Sequence, residues 1–357
     1  MTGHAGGCGV RRGCERRAAA QAPCAAARPA ARQPGTGRLC RLLAWGLAAL
    51  LLGPAAHAST DCPPAPSTPT AQQLEAARAA SQDRGFLWRI TRDGSSSYLY
   101  GTIHLGRLEW IFPGPSVRAA MQVSDTLAVE LDLTDPGVAQ AMRNTLAGQP
   151  DALLLSQSMQ RRLTRQAEAA CLPAGLLDQQ HPLMQAITLT VLAGRRDGLE
   201  PSYAQEIVLG EAARAAGARI VSLESVGQQI AALIPSDEAA AREMLEHTLQ
   251  QLESGAARRA LVRLAEVWAG GRLAELEQYE KWCECVLTPR DREFLRRVND
   301  DRNPALARRI DALHSAGRRV FAAVGALHMT GHRALPELLA QRGFTVERVT
   351  LAPAAAP

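Results

Sequence analysis

Apolar positions along the chain change period twice, from two to about 3.6 and back. In the first block, Phe86-Leu87-Trp88-Arg89-Ile90 reads as a strand, Arg92-Asp93-Gly94-Ser95 as a hairpin turn, and Tyr98–Ile103 as the returning strand. A Pro/Gly loop and a helix from about Ser116 to Gln122 follow, and Thr126–Leu133 (TLAVELDL) then reads as a buried strand interrupted by Glu130 and Asp132. From Pro136 to about Gly270 helical periodicity dominates, with Met159–Ala170 amphipathic, Leu183–Ala193 apolar enough to be buried, and Tyr203–Ala216 closed by Gly217. Ala218–Leu223 is a short strand within this region. Helices are predicted at Glu238–Glu253, Arg258–Trp268, Arg272–Lys281 and Asp291–Leu313, the last broken at Pro304. The chain closes with a strand at Arg319–Ala326, a helix at Leu335–Gln341 and a strand at Phe344–Val349.

The two ends match. Each reads strand, Gly-x-x-His, loop, helix, strand, with Gly101 and His104 in the first and Gly325 and His328 in the second. The pattern predicts a single α/β domain whose mixed central sheet is built from two diverged strand–GxxH–helix–strand units flanking a large helical insertion. In such a sheet the two histidines leave neighbouring strand carboxyl ends, where open α/β sheets place their sites. Residues 86–350 form this domain, preceded by a linker and short helix at 59–85 and followed by a disordered tail at 351–357.

Charge changes the picture at the front only. Residues 1–58 hold eight arginines and a single acidic residue, Glu15, leaving 32 basic against 34 acidic residues in the body. A nearly neutral body lacks the electrostatic footprint of a nucleic-acid binder. Arg38 and Arg41 precede an apolar run, Leu42–Leu52, and Ala56-His57-Ala58 follows as a cleavage site, so residues 1–58 read as an extension plus signal peptide. Export to the periplasm or outside the cell is expected, with no transmembrane span in the mature protein; an uncleaved segment is the alternative and leaves a membrane anchor. Four cysteines remain after this segment, Cys62, Cys171, Cys283 and Cys285. An even number in an oxidising compartment points to disulfides, with a bridge from Cys171 to the Cys283/Cys285 pair favoured among the three pairings.

His104, His328 and Glu130 are the candidate metal ligands, with Glu130 alternatively the general base that takes a proton from the attacking water. Imidazole and carboxylate suit a divalent ion, and a carboxylate after Leu127-Ala128-Val129 is costly to bury unless it is paired or metal-bound. Asp132 is a weaker candidate and His332 a minor one, whereas His181, His247 and His314 read as structural. The chain has no Gly-x-Ser-x-Gly elbow, P-loop or dinucleotide fingerprint. Metal-activated water is then the economical chemistry. A non-enzymatic haem- or metal-binding protein, and a structural surface protein, are the rival classes.

YLYGTIHLG at Tyr98–Gly106, VELDLTDP at Val129–Pro136, DRN at Asp301–Asn303, VGALHMTG at Val324–Gly331 and RGFTVERV at Arg342–Val349 together resemble the TraB/GumN family, whose members include the Tiki metalloproteases. The resemblance implies a fold similar to the erythromycin-esterase and ChaN-like group. It implies a site of Gly101 with His104, Glu130, and Gly325 with His328, and a divalent ion, manganese or cobalt in the Tiki branch, with zinc a further candidate. It also gives Arg302 and Asn303 a site-lining role and makes a peptide or protein the expected substrate of a metal-dependent hydrolase.

Overall fold

Asp93 and Gly94 both take positive φ, 53° and 73°, the conformation a two-residue hairpin turn requires. They join β1 (Phe86–Arg92) to β2 (Ser95–Thr102), paired antiparallel from Phe86↔Gly101 to Arg92↔Ser95. The computed structural model describes residues 62–63, 67–146 and 153–351, so the leader expected at 1–58 and most of the tail at 351–357 lie outside the described residues. Before β1 comes α1 (Ala71–Ala79), started by a Thr70/Gln73 capping box.

After β2 the chain runs through α2 (Pro115–Gln122) into β3 (Thr126–Val129). β3 stops at Val129, so the expected strand to Leu133 is too long. Asp132 Oδ1 accepts the Thr134 N–H at 3.1 Å and the strand becomes a turn. The helical insertion begins with α3 (Pro136–Leu146), α4 (Gln157–Ala169) and α5 (Pro182–Leu192). A 3-10 turn at Pro201–Tyr203 precedes α6 (Gln205–Ala215), which leads into β4 (Arg219–Ser222). There follow α7 (Val226–Leu233), α8 (Glu238–Glu253), α9 (Ala256–Ala269), α10 (Leu273–Leu276), α11 (Tyr279–Trp282) and α12 (Pro289–Val298). The Arg-rich stretch breaks at Asn299–Arg302, and α13 (Asn303–Ser315) carries Pro304 in its first turn, where a missing N–H costs nothing. The chain ends with β5 (Val320–Gly325), α14 (Leu335–Gln341) and β6 (Thr345–Arg348).

The six strands form one mixed sheet in the order β4-β3-β5-β2-β1-β6. β5 is parallel to both β2 and β3 and lies between them, with Thr102↔Gly325 and Val129↔Ala323 near their ends. The two similar units therefore interleave. The second inserts its first strand between the two strands of the first, and β3, β5 and β2 end side by side. β5 is buried along its whole length, as a central parallel strand covered on both faces must be. A separate apolar cluster, including Leu163, Leu183, Leu245 and Leu249, holds α4, α5 and α8 together. Among the described residues no helix is long and apolar enough to cross a membrane.

The expected cysteine bridge is corrected. Cys62 pairs with Cys171 and Cys283 with Cys285. Three histidines have structural partners: His181 accepts from Leu183 N at N-cap, His247 bonds Asp291, and His314 bonds Ser97.

Candidate functional site

Three consecutive strands deliver the three expected ligands to one place. β3 ends one residue before Glu130, β5 ends in Gly325 with His328 in the following 3-10 turn, and β2 is followed by His104. Gly325 sits in the middle. A Cβ there would lie 3.2 Å from Glu130 Oε1, 3.5 Å from His104 Nε2 and 3.6 Å from His328 Cδ2, so glycine leaves a small cradle lined by all three side chains. Gly101 has a different reason. Its missing Cβ would press on Met329, Ala326 and Phe86 at 3.2–3.3 Å, and its carbonyl accepts Trp268 Nε1 at 2.8 Å. Gly101 is therefore a packing position, where α9 of the insertion docks against the first motif.

Each histidine has its second nitrogen held from behind. His328 Nδ1 lies 2.5 Å from Asn303 Oδ1, while Asn303 Nδ2 donates to the carbonyls of His328 and Arg333. An amide oxygen only accepts, so the His328 proton sits on Nδ1 and Nε2 keeps its lone pair. Burial pushes the His328 imidazolium down to about 4, which keeps the ring neutral. His104 Nδ1 meets Glu206 Oε1 at 3.1 Å, and Thr102 Oγ1 also donates to that oxygen. Attraction to Glu206 raises His104 to about 9 against the opposing effect of burial. Its side chain is nevertheless 63% exposed, and solvent screens part of that attraction. A carboxylate or amide behind each imidazole is the outer-shell pattern of metal-ligating histidines.

Glu130 is buried and fully engaged. Oε1 accepts Gly325 N–H at 2.8 Å, and Oε2 accepts from Gln229 at 3.3 Å and from Arg302. Burial alone would raise its carboxyl, but Arg302 and the two histidines hold it well below the usual carboxylate range. Arg302 stands at the start of α13 and also pairs with Glu224, whose side chain is as buried as that of Glu130. Its Nη1 donates to Val298 O at 2.8 Å and lies 3.3 Å from His328 Nε2. Arg302 is therefore neither a surface ion pair nor free for substrate; it neutralises two buried carboxylates.

The expected set of His104, Glu130 and His328 thus meets at one point, with Gly325, Arg302 and Asn303 against it. Asp132 does not join it, pairing with Arg214 at 3.1 Å, and His332 lies in an exposed loop. Among the described residues no group of three or more His, Cys, Asp or Glu side chains stands as a ready-formed metal cluster. The chemistry of the donor set, two imidazoles and a carboxylate, suits a divalent ion, and one pair of donors lies within reach of a shared one. Both histidines are fixed on Nδ1, Nε2 of His328 stands 4.0 Å from Glu130 Oε1, and two donors each ~2.0–2.2 Å from one ion can lie up to ~4.4 Å apart.

Two carboxylates escaped the sequence reading. Glu206 comes from the first turn of α6, and one of its oxygens, Oε2, is buried without a hydrogen-bond partner. Glu224 follows β4 as Glu130 follows β3, and the two are linked because Glu224 N donates to Glu130 O at 3.2 Å. An apolar strand running into a glutamate was the available signal, present in Ala218–Glu224 as in Thr126–Glu130.

Residues 86–348 match the profile described as the TraB/PrgY/gumN family. Metalloprotease TIKI1 of Danio rerio is 26% identical over 309 residues, which is 73% of this chain and 62% of that protein. Metalloprotease TIKI1 of Xenopus tropicalis is 38% identical over 92 residues, 25% of this chain and 18% of that protein. The chain thus spans less than two thirds of either relative. No solved structure matches.

Proposed function

We propose that this chain, which belongs to the TraB/PrgY/gumN family, is an exported metal-dependent hydrolase that cleaves peptide bonds. The observation that carries the reading is the convergence of Glu130 Oε1 and the Nε2 face of His104 on the Gly325 cradle, beside His328. Distant similarity to proteins named as metalloproteases supports the reaction class.

His104, His328 and Glu130 would hold the ion, with manganese, cobalt and zinc the candidates. A bound divalent ion supplies Lewis acidity and brings the pKa of its water toward ~7. The chain's own residues prepare that place. Asn303 keeps the His328 proton on Nδ1, and Glu206 holds the Nδ1 proton of His104, whose Nε2 proton a bound ion would displace. Glu130, with a carboxyl held well below the usual range, suits an anionic ligand better than a proton acceptor. Arg302 and Asn303 act through Glu130 and His328, which makes them positioning residues. The exposed side of His104 leaves one face of the site open to a peptide.

The test is digestion of a peptide library by mature protein, with chelator and after readdition of Mn²⁺, Co²⁺ or Zn²⁺, the cleavage sites being read by mass spectrometry. Chelator-sensitive cleavage lost in His328→Ala is expected. Absence of metal binding and cleavage overturns the reading, and a Soret band after haem reconstitution would favour a haem carrier.

A further inference from the structure

Cys283 and Cys285 close a ring across a single intervening residue. Disulfide stabilisation through chain entropy grows with the length of loop closed. A bridge between residues two apart restrains almost nothing, whereas Cys62–Cys171, 109 apart in sequence, restrains a large part of the chain. The short bridge therefore calls for another explanation.

Its two sulfurs differ in surroundings. Cys283 is buried at 3% exposure, and its Sγ accepts the Cys285 backbone N–H at 3.3 Å. Cys285 is half-buried and lines a cavity of about 460 Å³ between α5, α8 and α12, with Tyr279, His247 and Gln251 among its other walls. Tyr279 Oη lies 3.2 Å from Cys285 Sγ. Each sulfur thus has its own hydrogen-bond donor, and only Cys285 is presented to the cavity.

We propose that Cys283–Cys285 is a thiol–disulfide exchange site, in which an external dithiol enters the cavity and attacks Cys285 Sγ. The incoming thiolate forms a mixed disulfide with Cys285 as the Cys283–Cys285 bond breaks. The electron pair leaves on Cys283, where the Cys285 N–H receives the thiolate before it takes a proton from solvent. The second thiolate of the dithiol then attacks its own partner sulfur and releases Cys285 as a thiolate, which the Tyr279 hydroxyl hydrogen-bonds until it takes a proton from solvent. The dithiol leaves as a disulfide, and the protein holds two thiols. The step is independent of the histidine site.

The full chain and its two single cysteine variants decide this. Folded protein is equilibrated with graded ratios of reduced to oxidised dithiothreitol, quenched by alkylation, and each cysteine is scored by peptide mass spectrometry. Cys283 and Cys285 should be reduced together at ratios that leave Cys62–Cys171 closed. With glutathione disulfide, the Cys283→Ser variant should form a mixed disulfide on Cys285 at least tenfold faster than Cys285→Ser forms one on Cys283. Reduction of both bridges in parallel, or of Cys62–Cys171 first, overturns the proposal. So does equal labelling of the two sulfurs.

Discussion

Asn303 Oδ1 accepts the His328 Nδ1 proton at 2.5 Å, and this single contact decides which imidazole nitrogen faces Glu130. Asn303 itself is held by two carbonyls, those of His328 and Arg333, so its amide has one orientation. The geometry of the second motif is therefore inherited from the start of α13.

Replacing Asn303 by Ala should leave a folded protein whose metal affinity is ~10–100-fold weaker, the usual effect of losing an outer-shell partner. Isothermal titration with Mn²⁺ or Zn²⁺ measures it. The two carbonyls left unpaired should also lower stability by ~1–3 kcal/mol.

The two motif glycines should respond differently to alanine. At Gly325 the new methyl meets Glu130 Oε1 and His104 Nε2, so metal binding and any hydrolysis should fall sharply. At Gly101 it meets Met329, Ala326 and Phe86, and the expected loss is ~1–3 kcal/mol of stability through overpacking. Urea unfolding beside metal titration of both variants separates the two effects.

Arg302→Met strands Glu130 and Glu224 without a cation and should cost ~3–5 kcal/mol, as breaking a buried ion pair does. Glu224→Gln should cost less, because Arg302 keeps Glu130. Equal losses in chemical denaturation would contradict the shared-cation arrangement.

Away from the site, Arg162 holds Glu246 at 2.6 Å and Glu253 at 2.7 Å, tying α4 to α8. Hydrogen bonds from Arg162, outweighing burial, lower both carboxyls below the ordinary glutamate value. Their contribution is complete above ~pH 4.3 and is lost as pH falls through the folded-state values, because the unfolded chain binds protons first. The glutamates are partly exposed, so the pair is worth ~1 kcal/mol or less. Arg162→Met should flatten this acid limb in urea unfolding curves taken at several pH values, losing up to ~1 kcal/mol near pH 7 and little once both carboxyls are protonated.

Much of this site was legible because it hangs on strand ends. His104, His328 and Glu130 each follow an apolar run, and parallel pairing of β5 with both β2 and β3 turns three such endings into one place. Asp132 was misplaced because continuing the alternation past Val129 overlooked the turn that its own side chain makes with Thr134. Glu206 was hidden because it opens an ordinary-looking helix, and only the fold brings α6 to His104. The cysteine pairing depends on where the chain before α1 runs, and spacing alone carries no information about that.

The central claim is a divalent-ion site made by both Gly-x-x-His motifs and Glu130. Its most direct measurement is metal content and affinity of purified mature protein beside His104→Ala, His328→Ala and Glu130→Gln, with folding checked by circular dichroism. One ion bound per chain, with affinity reduced at least tenfold in each folded variant, is the expected result. Wild-type protein that binds no Mn²⁺, Co²⁺ or Zn²⁺, or a folded His328→Ala variant that binds as wild type does, would contradict it.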